Sequence, residues 1–497
     1  MRPYSQSTLN LAKVAGLISA SSKLSESELS KIEISGVTHN DKNVQPGDLF
    51  IAIPGANSHG AEFSQRAIEN GAIAVVTDKL GEPLVNGVPA LIVSDPRKVA
   101  GYIAALFYNE PMRDLGSIGI TGTNGKTTVT TLLYQIFEAA DRDCGLIGTI
   151  DTRIGRDVID SVRTTPEATD LQALAATMRE RHMRHLVMEV SSHALVLNRV
   201  NGAHFNFVGF TNLTQDHLDF HGDMETYFAA KASLFSFNFA DQAVINIDDK
   251  YGMKLAELTE LPVITISRSN TKANWHFIEI ADFDKKVRFK IRGSAGVLIE
   301  SETQLRGRYN LDNLLMAIAI AVESGVDPVD LAVAIPNLPG AAGRLENINV
   351  GQDFTAIVDY AHTPDAVENV LRSMREFTSG KVIAVLGCGG DRDSSKRPIM
   401  GSSLIDGSDI AVLTSDNPRS ENPAKILKEM LGTRNLIDPS KVIEDRKMAI
   451  EYAVSLAQPG DTVAILGKGH ELGQEIAGVK SPFDDRVILA QAIAGKR

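Results

Sequence analysis

Residues 119 to 128 read Gly-Ile-Thr-Gly-Thr-Asn-Gly-Lys-Thr-Thr, and no other segment limits the possible folds as strongly. Leu115 to Ile120 is a short apolar run before it, and Val129, Leu132, Leu133, Ile136, Phe137 and Ala140 recur after it at the spacing of one helical face. The glycines therefore lie between a strand and a helix N-terminus. There, backbone N–H groups and the positive end of the helix dipole face an anion, and Lys126 adds a full charge over the outer phosphates. Thr127 offers a hydroxyl to Mg²⁺. The segment points to ATP or a close analogue. Its spacing departs from the usual phosphate loop: five residues separate Gly119 from Gly125, with Gly122 among them. The plain alternative, a turn that merely joins strand to helix, is opposed by the apolar elements on both sides.

At 497 residues the chain exceeds one ordinary core, and a prior of about 150 residues per domain suggests three. No apolar stretch approaches a membrane span, and residues 1–22 lack a basic segment followed by an apolar one. The expectation is a cytoplasmic protein without membrane insertion. Only Cys144 and Cys388 occur, which fits a reducing compartment and gives no metal-ligand spacing. A net charge of −12 argues against nucleic-acid binding, since that needs a basic face to displace counterions. An anionic substrate would be met by a few specific cations.

Along the chain, Gly47 to Ile53 reads as a strand, Ala61 to Asn70 as a helix and Ala72 to Thr77 as a strand, a small α/β domain closing near Arg113. The second unit opens with the phosphate loop and continues through apolar runs at His185 to Val190, Phe205 to Phe210, Ala243 to Ile247 and Pro262 to Ile266. Strands alternating with helices predict a mainly parallel sheet. Pro339 to Gly343 is a plausible hinge. Beyond it three strands end in polar tips: Val382 to Leu386 before Gly387–Asp393, Ile410 to Leu413 before Ser415–Arg419, and Val463 to Leu466 before Gly467–Glu471. Ligands of open α/β sheets bind at carboxyl ends of strands, so these tips predict a recognition site. The expected fold class is α/β with three domains: 1–113 a small α/β domain, 114–343 a central parallel-sheet ATPase-like domain, and 344–497 Rossmann-like.

Glu189, near the end of its strand, is placed to hold Mg²⁺, which prefers few carboxylates plus phosphate oxygens. Thr211 to Gly222 is dense in metal-capable groups, including His217 and His221. Single histidines are more often satisfied structural groups, so His193 and His221 carry no assignment alone. Lys231, taken alone, reads as an exposed helix residue.

The ordered set of Gly122 to Thr128, Glu189 to His193, Asn212 through His217, Tyr309-Asn310 with Asn313, Gly343-Arg344, Asp359 to Asp365 and Gly467 to Glu471 closely resembles the Mur ligase family over nearly the whole chain. These are ATP-dependent enzymes that join amino acids to a UDP-linked peptide in bacterial cell-wall synthesis. Within the family the likeness runs to the members that extend UDP-N-acetylmuramoyl-L-alanyl-D-glutamate to a tripeptide.

The resemblance implies a substrate carboxylate activated by ATP as an acyl phosphate and then attacked by an amine. It implies ATP contacts from Gly122, Thr123, Asn124, Gly125, Lys126, Thr127, Thr128, Asn310, Asn313 and Arg344. Catalytic roles fall to Lys126, Glu189, His217 and Lys231, with Mg²⁺ held by Thr127, Glu189, His217 and Lys231 as a carbamate. For the UDP substrate it implies Asp41, Ala56, Asn57, Ser58, Thr164, Thr165, Ser191 and Arg199. Asn40-Asp41-Lys42 departs from the common Asp-Ser-Arg, and Leu197 and Arg163 stand where relatives can carry an amide.

Asp416-Asn417-Pro418-Arg419 resembles the signature of members that accept meso-diaminopimelate, and Arg392, Gly467 and Glu471 match their other ligands. Diaminopimelate exceeds lysine by a carboxylate that an arginine can grip with two hydrogen bonds. The alternatives are the lysine-adding ligase of the same type, folylpolyglutamate synthetase, and a P-loop ATPase without ligase activity. A monomer is expected.

Overall fold

The computed structural model describes residues 2–4, 7–55, 57–283 and 286–496. Contacts divide it into two compact units, the first Met1–Ile280 with Phe289–Ser301 and Asp312–Ile335, the second Ala281–Arg288 with Glu302–Leu311 and Pro336–Arg497.

The first unit holds two larger sheets and a two-stranded pair, Leu9–Asn10 with Glu33–Ile34. Gly36–Thr38, Asp48–Ile51, Ala74–Thr77 and Ala90–Ile92 lie side by side in that order, all parallel. The expected helix between the second and third of these strands divides into a 3₁₀ turn, Gly60–Phe63, and an α-helix, Ser64–Glu69. Helix Pro96–Phe107 starts where proline's missing N–H costs nothing, and Asp95 caps it by accepting from the Arg97 and Lys98 amides. Its apolar face, Ile103, Ala104 and Phe107, packs with Leu49, Val76 and Leu91, each large side chain contributing about 1.5–3 kcal/mol of burial. Ala173 and Ala176 of helix Ala168–Glu180 join the same core. At Gly101 an added Cβ would lie 1.8 Å from the Asn201 carbonyl oxygen. That close approach, with Asn201 Nδ2 donating to Lys98 O at 2.9 Å, welds the small sheet to the larger one.

In the larger, eleven-stranded sheet the first eight strands run in the order Asp157–Asp160, Asp151–Ile154, Cys144–Ile147, His185–Glu189, Gly116–Thr121, Phe205–Phe210, Ala240–Asn246, Val263–Ser267. Among these eight, all pairs from Cys144–Ile147 onward are parallel. Helices on both faces make the strands near-continuously apolar, as in Leu186-Val187-Met188. The chain leaves Gly116–Thr121 toward one side, to Cys144–Ile147, and later populates the other side with Phe205–Phe210. This order reversal places a crevice at the carboxyl end of Gly116–Thr121, where the glycine-rich loop begins.

The second unit carries a sheet in the order Glu346–Asn347, Thr355–Asp359, Thr462–Leu466, Val382–Leu386, Ile410–Leu413, Lys441–Val442, parallel except for its first pair. Alternation of period two sends Val382, Ala384 and Leu386 to one core and Ile383 and Val385 to the other. Leu386 pairs with both Leu413 and Leu466, so the three polar tips emerge at one level. Among the described residues no helix is long and apolar enough to cross a membrane, and both cysteines are buried and free.

Candidate functional site

The glycine-rich loop turns from its strand into helix Lys126–Ala139 through Gly125, whose φ of 88° favours glycine. A Cβ there would sit 2.3 Å from Asn313 Oδ1, which brings Asn313 against the loop. Lys126 Nζ folds back to donate to Gly122 O and Thr123 O, each at 2.9 Å, holding its charge over the loop. Thr127 Oγ1 donates to Glu189 Oε2 at 3.0 Å. The same buried carboxylate accepts the Thr149 amide at 2.7 Å and the Thr149 hydroxyl at 3.0 Å.

Lys231 corrects the expectation from its sequence context. Its residue is 1% exposed, and Nζ donates to Gly122 O at 2.7 Å with the Tyr227 ring 4.8 Å away. Burial, then repulsion from Lys126, pushes its amine well below the ordinary lysine range, against a weaker pull from Asp216. His217, at φ 52°, stands beside Asp216 with its Nε2 3.4 Å from Oδ2. Burial depresses its pKa; the opposing pull of Asp216 is outweighed with help from Lys126 and Lys231. His193 stacks on Phe220 and meets the His217 ring edge-on at 4.7 Å, and burial lowers it to about 4. His221 is satisfied by the Ser192 hydroxyl at 3.0 Å.

Among the described residues no three His, Cys, Asp or Glu side chains converge as a metal cage. The adjoining Thr127 hydroxyl and Glu189 carboxylate instead fit Mg²⁺, which is commonly held by one or two protein ligands and substrate phosphates.

Two of the residues expected to meet the UDP substrate connect to the Glu189 main chain and to its partner Thr149. Thr165 Oγ1 donates to Glu189 O at 2.9 Å and accepts the Ser191 amide at 3.1 Å. Thr164 Oγ1 lies 3.0 Å from the Thr149 hydroxyl. Arg199 forms an ion pair with Glu167 at 3.0 Å; Glu167 also takes Arg97 at 3.0 Å, and Arg97 reaches Pro54 O at 3.4 Å. Thus Pro54, just past Asp48–Ile51, is linked through Arg97 and Glu167 to Arg199. Ser58 O accepts the Gly55 amide at 3.0 Å, Asn57 is exposed, and Ala56 lies outside the described residues. The Asp41 carboxylate, expected at the uridine end, is taken by Arg66.

Sequence reasoning missed Thr149, Glu167 and Arg97. The available signal for Thr149 was its place at the carboxyl end of Cys144–Ile147, beside the strand bearing Glu189. Glu167 follows the noted Thr164-Thr165 and heads the next helix.

In the second unit the three strand tips interlock. Asn417 Nδ2 donates to Glu471 Oε2 at 2.8 Å, while Asn417 Oδ1 accepts from Lys468 Nζ at 3.2 Å and from the Glu475 amide at 2.9 Å. Lys468, fully buried, also donates to Glu471 at 3.1 Å. Burial tends to raise the Glu471 carboxyl, but Lys468 and Asn417 prevail and hold it below the usual range. Asp416 is buried and shifted up by desolvation, and Gly467 is so close that a Cβ there would lie 2.8 Å from Asp416 Oδ2. Arg419 sits at φ 51° with a nitrogen on Gly390 O at 2.6 Å, and Arg392 is exposed on the neighbouring tip.

Beneath them Arg446 forms a buried pair with Asp485 at 2.6 Å and donates two further guanidinium hydrogens to Leu466 O and Ser415 O. Sequence reasoning assigned no role to Lys468, Arg446 or Asp485. Also in this unit, the Arg344 guanidinium lies 4.7 Å from the Tyr360 ring centroid, and Asn310 Nδ2 donates to Arg306 O at 3.1 Å.

Three family models match consecutive stretches: "Mur ligase family, catalytic domain" over 33–108, "Mur ligase middle domain" over 120–321 and "Mur ligase, glutamate ligase domain" over 343–469. A UDP-N-acetylmuramoyl-L-alanyl-D-glutamate--2,6-diaminopimelate ligase of Streptomyces coelicolor is 49% identical over 469 residues, 93% of this chain and 92% of the relative. A solved structure of a ligase of the same name is 32% identical and superposes with a TM-score of 0.71 over 98% of this chain and 99% of its own. The MurF ligase of Thermotoga maritima, solved in complex with ADP, is 17% identical with a TM-score of 0.58, covering 93% of this chain and 96% of its own. At that identity the likeness is one of fold.

Proposed function

The chain belongs to the Mur ligase family, and from that premise we propose that it joins meso-2,6-diaminopimelate to UDP-N-acetylmuramoyl-L-alanyl-D-glutamate at the expense of ATP, in peptidoglycan biosynthesis. The observation that carries this reading is the interlocked set Asp416, Asn417, Arg419 and Glu471 at aligned strand tips, in a chain 49% identical to a ligase of that name.

We divide the labour as 1–113 for the uridine end, 114–343 for ATP and the reacting carboxylate, and 344–497 for the incoming amino acid. Lys126, the loop amides of Gly122 to Thr128 and the dipole of helix Lys126–Ala139 receive the ATP phosphates. Asn310 and Asn313 suit the adenine edge, since an amide offers donor and acceptor together, and Arg344 adds charge toward the phosphates. Thr127, Glu189, His217 and a Lys231 carbamate would hold Mg²⁺. Bound there, the ion supplies charge neutralisation on phosphate oxygens.

Thr164, Thr165, Ser191 and Arg199 orient the UDP-linked dipeptide, with Asp41, Ala56, Asn57 and Ser58 at its uridine end. Its terminal carboxylate oxygen attacks the γ-phosphorus and ADP leaves. The amine of the amino acid then attacks the acyl carbon, loses a proton, and phosphate departs. Lys126 stabilises charge spreading over the transferred group, a role for which fixed cations are effective in a dry site.

The carbamate follows from chemistry at Lys231. An amine kept neutral can attack CO₂, forming an N–C bond and releasing one proton. The product is an anion whose oxygens suit a hard cation, whereas an ammonium would repel it. A carbamate resonance in the carbon-13 spectrum of active protein in labelled bicarbonate is expected; its absence overturns this assignment.

The deciding experiment supplies purified protein, ATP, Mg²⁺ and the UDP-dipeptide with diaminopimelate or lysine separately. New amide with diaminopimelate supports the proposal, and preference for lysine transfers it to the lysine-adding type. Phosphate release without either co-substrate would indicate an uncoupled ATPase. We further propose that the enzyme is a cytoplasmic monomer, which sedimentation at working concentration tests for assembly.

A further inference from the structure

Arg392 and Arg419 stand on separate loops; Arg419 itself reaches Gly390 O across them, and a second cross-link, to which neither arginine belongs, also joins the two loops. Arg397, in the first turn of helix Lys396–Gly407, is buried with its side chain only 2% exposed. It donates to both Glu421 carboxylate oxygens at 2.7 and 2.9 Å, to Glu429 at 2.6 Å and to Gly389 O at 3.2 Å. Glu421 also accepts the Asp391 amide at 2.6 Å, and Asp391 accepts the Ser420 amide and hydroxyl at 3.2 and 2.6 Å. The link therefore spans both loops twice.

The geometry it enforces is demanding. Asp391 and Arg419 hold φ of 54° and 51°, a region non-glycine residues keep only when their surroundings fix it. Between them Gly390 approaches so closely that a Cβ would lie 1.9 Å from Pro418 O. Arg397 is buried while its partners Glu421 and Glu429 keep 23% and 32% of their side chains exposed, so the cluster contributes modest net stability, whereas it can specify register.

We propose that the Arg397–Glu421–Asp391 link is a positioning device that sets the separation of Arg392 and Arg419, and with it the preference for an amino acid bearing a second carboxylate. The inference rests on the diaminopimelate reading above. Arg397 touches no substrate in this scheme; it acts through Arg419.

The test is steady-state kinetics with diaminopimelate and with lysine on wild type, R397M, R397K and E421Q, and on R419A with and without E421Q. E421Q and R397M should raise KM for diaminopimelate about tenfold or more, the scale of a small misplacement. Their kcat and KM for ATP should stay within about threefold, and R397K should restore part of the loss because lysine lacks the paired geometry. In the R419A background, E421Q should alter the diaminopimelate-to-lysine ratio less than about twofold, as expected for residues acting through one another. An unchanged KM and ratio in E421Q overturns the device, as does an undiminished effect of E421Q without Arg419. If R397M does not fold, E421Q decides. A wild type that prefers lysine overturns both this inference and the functional reading; one that prefers diaminopimelate while E421Q retains that preference overturns the device alone.

Discussion

Among the described residues two lysines are sealed inside this protein, one in each unit, and they sit in opposite electrostatic surroundings. Lys231 is 1% exposed, with a backbone carbonyl and a tyrosine face as neighbours and Lys126 repelling it; Lys468 is 0% exposed and donates to the Glu471 carboxylate and the Asn417 amide oxygen. A buried cation with its anion is a cross-link. A buried amine without one favours its neutral form, and a neutral amine is a nucleophile. The difference matches the roles proposed above, a lysine that does chemistry at Lys231 and a binding surface held in place at Lys468.

The largest effect that would sharpen this contrast is on turnover. Lys231→Ala should lower kcat by about 10²–10³-fold, the scale for losing one fixed electrostatic group in a phosphoryl-transfer site. Lys468→Met should leave kcat within about tenfold and act on KM for the amino acid. Steady-state assays at saturating ATP separate the two, and similar kcat losses would dissolve the distinction. Next in size, Arg419→Ala leaves a second carboxylate without its partner, a loss of about 1.5–3 kcal/mol, or roughly ten- to 150-fold in kcat/KM for diaminopimelate. KM for ATP should stay within a few-fold. Equal loss for both substrates would remove Arg419 from amino-acid selection.

The two regions also differed in how openly the chain displayed them. The phosphate loop is contiguous, so Gly122 to Thr128 and their flanking strand and helix were legible as one block, and the parallel order followed from alternating elements. Phe205–Phe210, Val382–Leu386 and Ile410–Leu413 emerged with the expected ends. The burial of Lys231 was not legible, because its helix Met224–Ala232 has no strong apolar stripe and its partner Gly122 is 109 positions away. For the same reason Thr149, Glu167 and Arg97 escaped notice, being common polar residues brought together by strand order. The helix expected over Ala61 to Asn70 splits at Phe63 because His59 and Glu62 form a capping box around a tight first turn.

Stability offers a third comparison. Lys468→Met removes the cation from Glu471 and one donor from Asn417, and should cost about 2 kcal/mol, since breaking an ion pair from one side leaves the partner charge unmatched. Lys231→Met removes a buried amine with no anion to strand, and should be neutral or stabilising by about 1–4 kcal/mol. Chemical denaturation at pH 7 in CO₂-free buffer compares the two. Opposite signs support the contrast, and destabilisation of similar size by both substitutions would break it.

The smallest effect is the pH dependence of that difference, and its sign follows from the direction of the Lys231 shift. The folded amine titrates well below the ordinary lysine value, so between its folded and unfolded pKa the unfolded chain carries a proton that the folded chain lacks. Stability of the wild type therefore rises with pH across that window, up to the unfolded value near 10.4, while Lys231→Met lacks this contribution. The advantage of Lys231→Met should then shrink by about 1 kcal/mol per pH unit, the limit being about 1.4 for one whole proton. Denaturation of both proteins at pH 7, 8 and 9 without CO₂ or Mg²⁺ measures it. A gap that stays constant over those two units would mean that Lys231 is protonated in the folded protein, and an ammonium cannot take up CO₂ to become the anion a metal requires.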